Sequence, residues 1–209
     1  MFFFVLSGIV GYLIGSIPTA FLLVRWKSNV DIRGKGSGNV GALNSFEVTR
    51  SKWVGAAVLV ADALKGMFAV WMASSFLGGQ FSTQAVAGVA VVAGHNFPVW
   101  LGFRGGRGLA TAAGVTFVIA WPALALWCGL WVLGFLLIRH INAANALASV
   151  VELIGILVAP GSLLSLVTGS SIETGEFRLF GLALFIVILI KHVEPVREFF
   201  VNSRVRNQE

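Results

Sequence analysis

Two glycine-rich stretches hold the side chains most able to do chemistry: residues 31–44 read DIRGKGSGNVGALN and residues 102–111 read GFRGGRGLAT. Glycine lets consecutive backbone N–H groups turn toward one anion with no Cβ in the way, so both stretches suit a phosphate or a developing oxyanion. In the first, Gly36, Gly38 and Gly41 permit a nest of backbone donors. Ser37, Asn39 and Asn44 add side-chain donors, and Arg33 and Lys35 add charge. In the second, Gly105, Gly106 and Gly108 run straight into an apolar segment, where a helix N-terminus faces an anion with free N–H groups. Arg107 would supply a fixed charge there, and Thr111 a hydroxyl one turn in. Neither stretch closes with the Gly-Lys-Ser/Thr of a nucleotide P-loop. The bland alternatives are a basic linker between two spans for the first stretch and small-residue helix packing for the second.

Asp62 and Lys65 sit inside an otherwise apolar run, where charges are costly and face a cavity or each other. Three residues apart, they share a helical face, so an ion pair is as good a reading as a functional one. His95, His140 and His192 all fall near span ends, and Arg139 precedes His140. A neutral imidazole there is able to accept a proton, although an ordinary interfacial role is the commoner reading of a lone histidine. The single Cys128 removes disulfide, CxxC and zinc-cluster readings. No histidine has an aspartate five positions on, and with two aspartates in the chain a two-metal phosphoryl-transfer site is not expected. Neither metal nor cofactor is implied.

The elements that position these groups follow from composition. Of 209 residues, 57% are hydrophobic and 11% charged, with a mean hydropathy of +0.88. About 25% charge is usual for a water-covered surface, so the chain is expected to be an all-α polytopic membrane protein, a single domain over residues 1–209. Apolar runs cover residues 2–24, 53–77, 83–94, 109–121, 123–138, 143–158 and 179–190, with Pro122 a natural break. The first run lacks a basic leader or cleavage pattern and is read as a retained span. The net charge of +6 is read through topology, with no nucleic-acid partner. Basic residues between 25 and 52, at 104 and 107, at Arg139 and in the tail from Lys191 to Arg206 mark the cytoplasmic side. The uncharged segment 78–82 and the segment 160–175 are then external. Seven transmembrane helices satisfy every loop, with the N-terminus outside and the C-terminus cytoplasmic. Five full spans plus a re-entrant hairpin at Pro122 are the alternative.

Taken in order, GSIPTAFLL at 15–23, the first glycine block, DALKG at 62–66, GHNFPVWLGFRGGRGLAT at 94–111 and His192 resemble the acyl-phosphate-dependent glycerol-3-phosphate acyltransferases of bacterial membranes. The resemblance implies a seven-helix membrane fold with its motifs at the cytoplasmic face of the bacterial inner membrane. It implies acyl transfer from acyl-phosphate to the 1-hydroxyl of glycerol 3-phosphate, giving lysophosphatidate and phosphate. Ser37 and His192 would be catalytic. Arg33, Lys35, Gly36, Gly38, Asn39, Asn44, Lys65, Gly105, Gly106, Arg107, Gly108, Thr111 and Arg139 would bind substrate or phosphate. Leu43 and Glu47 stand where the family has threonine and arginine, Arg107 where it has lysine, and Pro195 where it has asparagine. The family's Arg-x-x-Ser appears as Arg139-His140-Ile141-Asn142. The rival readings are an anion or organophosphate transporter and a paralogous acyltransferase with a changed acceptor. Acyl-chain preference and oligomeric state are not written in the chain.

Overall fold

The computed structural model describes residues 1–168 and 172–206, with side chains through Val201. The side chains of Arg204 and Arg206, counted above toward a basic tail, lie outside the described residues, as do residues 169–171 of the expected external segment. Every regular element among the described residues is an α- or 3-10 helix, as the composition requires: in lipid, only a helix satisfies its own backbone within one segment. The chain divides into two compact units, residues 1–119 and 120–209.

The first unit holds α1 (Phe2–Gly15), α2 (Thr19–Ser28), α3 (Ala42–Thr49), α4 (Lys52–Phe76), α5 (Phe81–Asn96) and the start of α6 (Leu109–Ile138). The expected single first run is in fact broken. Helix α1 ends at Gly15 and α2 restarts at Thr19, because Pro18 has no N–H to donate and forces the residue before it away from the α region. Helices α1 and α5 pack at backbone distance: a Cβ on Gly11, Gly15 or Gly94 would overlap the carbonyl of Ala87, Val91 or Tyr12. Without a hydrophobic driving force in lipid, close van der Waals approach of this kind holds helices together. Gly66 of α4 against Thr111, and Gly114 of α6 against Ala63, make the same kind of contact.

The second unit holds the remainder of α6, α7 (Ile141–Val158), α8 (Gly161–Thr168), α9 (Thr174–Ile190) and α10 (Val193–Arg206). The break expected near Pro122 falls at Ala120, whose φ of −157° and ψ of 71° leave the helical region just ahead of the proline. The segment read as an external loop at 160–175 contains α8. Asn145, Ser149 and Glu152 form a buried polar stripe on α7, and the Trp127 indole donates to the Ser149 hydroxyl at 3.1 Å.

Among the described residues, four helical stretches are long and apolar enough to cross a membrane: residues 2–28, 52–76, 109–138 and 141–158. The bent pair α9–α10 makes a fifth if it counts as one span. Helix α5, at 16 residues, is shorter than a straight crossing needs.

Candidate active site

The site in the first unit grows from the break between α1 and α2. Opening a helix leaves carbonyls without partners, and in a membrane span these need a donor from elsewhere. Lys65, one helical turn beyond Asp62 on α4, supplies it: its Nζ donates to the Ile17 carbonyl at 3.2 Å. The same ammonium lies 2.7 Å from Asp62 Oδ1 and donates to His95 Nδ1 at 2.9 Å. All three ammonium hydrogens are thereby engaged, so Lys65, expected as a phosphate contact, is a buried strut within the protein. Thr19, the first residue of α2, donates its hydroxyl to Asp62 Oδ1 at 2.5 Å. The Asp62–His95 separation is 3.5 Å, longer than the Lys65–His95 bond. Asp62, Lys65 and His95 therefore form one buried polar cluster centred on the ammonium. The cluster borders a narrow cleft, about 10 Å³ in volume, also lined by Pro18, Val40 and Pro98.

The second glycine block closes over His95. A Cβ on Gly106 would overlap the imidazole Nε2 and lie 2.6 Å from the Val40 carbonyl; one on Gly105 would overlap the His95 carbonyl. The Gly106 and Gly105 N–H groups donate to the His95 and Asn96 carbonyls at 3.0 and 3.2 Å. These donors face the protein, so the backbone cradle expected of Gly105 and Gly106 does not form from their N–H groups. What the sequence demands there is absence of bulk. Gly108 does adopt a left-handed conformation, φ +82°, at the entry to α6. Thr111 is wholly buried in the first turn of α6, and its hydroxyl has no hydrogen-bond partner among the described residues.

The first block folds around Asn44. Its Nδ2 donates to the carbonyls of Asn39, Lys35 and Ile32 at 2.9, 3.1 and 3.4 Å, and its Oδ1 accepts the Ser37 N–H at 3.1 Å. Gly36 at φ +56° and Gly38 at φ +69° make the turns that bring these groups inward, and the Gly38 N–H donates to the Lys35 carbonyl. Asn44, expected as a phosphate donor, is the hub of the loop and is buried. Arg33 is similarly committed. Its guanidinium grips Asp31, with Nη2 to Oδ2 at 2.6 Å, donates Nη1 to the Leu101 carbonyl at 3.3 Å, and lies over the Phe21 ring. Those bonds hold the Asp31 carboxyl at about 2, below the usual carboxylate range, chiefly through the Arg33 side chain and then its backbone N–H. Arg33 is raised in turn by the same partner. Ile32, Val40 and Leu101 pack with Ala20, Val24 and Val58 in one buried cluster, so the two glycine blocks are fastened together by apolar burial as well as by Arg33.

The structure thus brings together the first block, the second block and Lys65. At the surface of this assembly lie Lys35 and Ser37, exposed, with Asn39 and Arg107 half-buried. Arg139 and His192 belong to the second unit. Arg139 is exposed at the end of α6 with φ +55°. His192 is buried in the turn after α9, and its Nδ1–H donates to the Ile188 carbonyl at 2.9 Å. Sequence reasoning gave no role to Thr19 and treated His95 as an ordinary boundary histidine. The signal that could have found both is Lys65 itself: an ammonium in a span must have every hydrogen answered.

A polytopic helical membrane protein whose two glycine-rich loops close on a buried Asp–Lys–His cluster is the class that fold and site define. The sequence profile described as glycerol-3-phosphate acyltransferase matches residues 5–201, and the chain belongs to that family. It is 46% identical over 171 residues to a glycerol-3-phosphate acyltransferase of Gluconobacter oxydans, covering 81% of this chain and 77% of the relative. It is 35% identical to one of Synechococcus sp., covering 94% and 90%. Its fold is similar to the crystal structure of PlsY (YgiH), an integral membrane glycerol 3-phosphate acyltransferase, in the glycerol 3-phosphate form. The TM-score is 0.79 at 29% identity, over 95% of this chain and 92% of that one.

Proposed function

We propose that this protein transfers a fatty acyl group from an acyl-phosphate to the 1-hydroxyl of glycerol 3-phosphate, a step of phospholipid synthesis. The observation that carries the reading is the closure of the two glycine blocks on one another, at Gly106 against Val40 and at Arg33 against Leu101. That closure puts Lys35, Ser37, Asn39 and Arg107 on one framework fit for a negatively charged reactant.

The hydroxyl oxygen attacks the acyl carbon, the carbon–oxygen bond to phosphate breaks, and lysophosphatidate and inorganic phosphate leave. An acyl-phosphate is already activated, so no covalent acyl-enzyme is needed. The hydroxyl proton goes to a phosphate oxygen, or to the His192 imidazole that the family resemblance offers as the base. The Ser37 hydroxyl orients the phosphate or the developing oxyanion, and Arg107 balances the leaving charge. Rigid alignment of this kind supplies on the order of 7–11 kcal/mol of barrier reduction in the best cases. The proposal includes seven passes, with both glycine blocks on the cytoplasmic side of a bacterial inner membrane, which the clustering of basic residues supports. Purified protein mixed with palmitoyl-phosphate and glycerol 3-phosphate should release phosphate and form lysophosphatidate. Phosphate release no faster than spontaneous hydrolysis refutes the reading, and organophosphate flux in proteoliposomes without acyl chemistry would favour a transporter.

A further inference from the structure

The net charge of this protein is confined to one part of its sequence. Residues 1–119 hold nine of the fifteen Lys and Arg residues against three of the nine Asp and Glu residues, which accounts for the whole net charge of +6. Of those three acids, Asp62 is consumed by Lys65 and Asp31 by Arg33. Exposed Glu47 is the acid left at the surface of the unit, against exposed Arg25, Lys27, Lys35, Arg50, Lys52 and Arg104.

Large aromatic side chains stand among these cations. Trp26 is 83% exposed between Arg25 and Lys27, Trp53 is 76% exposed beside Lys52, and Trp100 is 65% exposed near Arg104. The Lys52 ammonium sits 5.6 Å from the centre of the Trp53 ring. Helices α2, α3 and α4 pack on one another through Ala20, Val24, Ala42, Val48, Val54 and Val58, so the helices that carry Trp26 and Trp53 share one assembly. Helix α3 adds to the pattern. It buries Asn44 and Ser45 and exposes Leu43 and Phe46, the reverse of a helix facing water. An amphipathic indole is most stable at headgroup depth, where its ring meets acyl chains and its N–H meets water. Lysine and arginine at that depth are drawn to anionic headgroups.

We infer that this rim is a binding surface for anionic phospholipid headgroups, separate from the residues assigned to acyl transfer. It rests on the membrane setting and not on the reaction, so it stands or falls independently of the proposed function. One basic residue near an anionic surface is worth roughly a fivefold preference, before screening by salt.

The test is native mass spectrometry of the full chain titrated with equimolar phosphatidylglycerol and phosphatidylcholine, alongside acyl transfer measured in neutral detergent. The wild type should retain phosphatidylglycerol at least fivefold over phosphatidylcholine. The triple variant Arg25→Gln, Lys27→Gln, Lys52→Gln should lose most of that preference while its detergent activity stays unchanged, and Lys27→Arg with Lys52→Arg should keep it. Glu47→Gln, which removes the remaining surface acid, should raise the preference and guards against a triple variant that fails to fold. Equal retention of the two lipids by the wild type overturns the inference and leaves the face to an acidic protein partner. So does an unchanged preference in the triple variant, or an equal loss on Arg197→Gln in the second unit.

Discussion

Replacing Gly106 by alanine tests the central geometric claim, that the second glycine block lacks side chains so that it can lie against His95. The added methyl would sit 2.6 Å from the Val40 carbonyl oxygen and 2.8 Å from His95 Cε1, and nearer still to Nε2. Ordinary contact begins at 3.4 Å, so the Val40 carbonyl must retreat by the difference, 0.8 Å, and the imidazole by more. The imidazole cannot retreat freely, because Lys65 holds its Nδ1 at 2.9 Å and is itself tied to Asp62 and Ile17. Overpacking costs roughly 1–3 kcal/mol, and loss of a hydrogen bond to a charged group about 1.5–3 kcal/mol. A displacement near 1 Å in a loop that positions substrate costs on the order of 100-fold in rate. Thermal unfolding in detergent and phosphate release from palmitoyl-phosphate with glycerol 3-phosphate read both effects. Gly129→Ala, where a Cβ meets nothing within 4 Å, serves as the neutral control. Because the clash is with His95, a double variant Gly106→Ala, His95→Ala should be less destabilised than the two single changes summed, by about 1 kcal/mol or more. Full activity and stability in Gly106→Ala, or strict additivity in the cycle, would show that the block is open there and that the reasoning is wrong.

Asp62→Asn strips the counter-ion from the Lys65 ammonium and should cost about 3–5 kcal/mol; a melting temperature within a degree or two of wild type rules this out. Asn44→Ala removes the loop hub and about 1 kcal/mol per bond lost, so limited proteolysis should cut within residues 33–40 and KM should rise; unchanged proteolysis and kinetics contradict the hub role. His192→Asn should lower kcat by roughly 100-fold with little change in melting temperature if Nε2 takes the hydroxyl proton, while an unaltered kcat leaves that proton to the substrate phosphate. Asp31 titrates near 2 when folded against 3.8 as a free side chain, so its pairing contributes fully above about pH 4 and fades as pH falls toward 2. Its side chain is 41% exposed, which limits that contribution to under about 1 kcal/mol, so Asp31→Asn should barely alter unfolding at pH 7 and match wild type below pH 2.

Composition alone fixed the class, because a surface with so little charge cannot face water, and the break near Pro122 follows from the missing N–H of proline. The Asp62–Lys65 pair was also readable, since a spacing of three puts both on one helical face whatever surrounds them. The break at Pro18 was equally available from local rules but was masked by the apolar residues on either side of it. What the chain could not disclose was the reason for its glycines. A run of glycine with serine and asparagine fits an anion nest and fits tight packing against a neighbour, and the local backbone requirement is the same for both. Only the approach of His95, thirty residues from Lys65 in sequence, showed that Gly105 and Gly106 make room for a side chain while their N–H groups turn inward. In the same way Asn44 became a loop hub because the carbonyls of Ile32, Lys35 and Asn39 came within its reach. Partners of that kind are set by which segments meet in space, and meeting is decided by the burial of Ile32, Val40 and Leu101 in one apolar cluster.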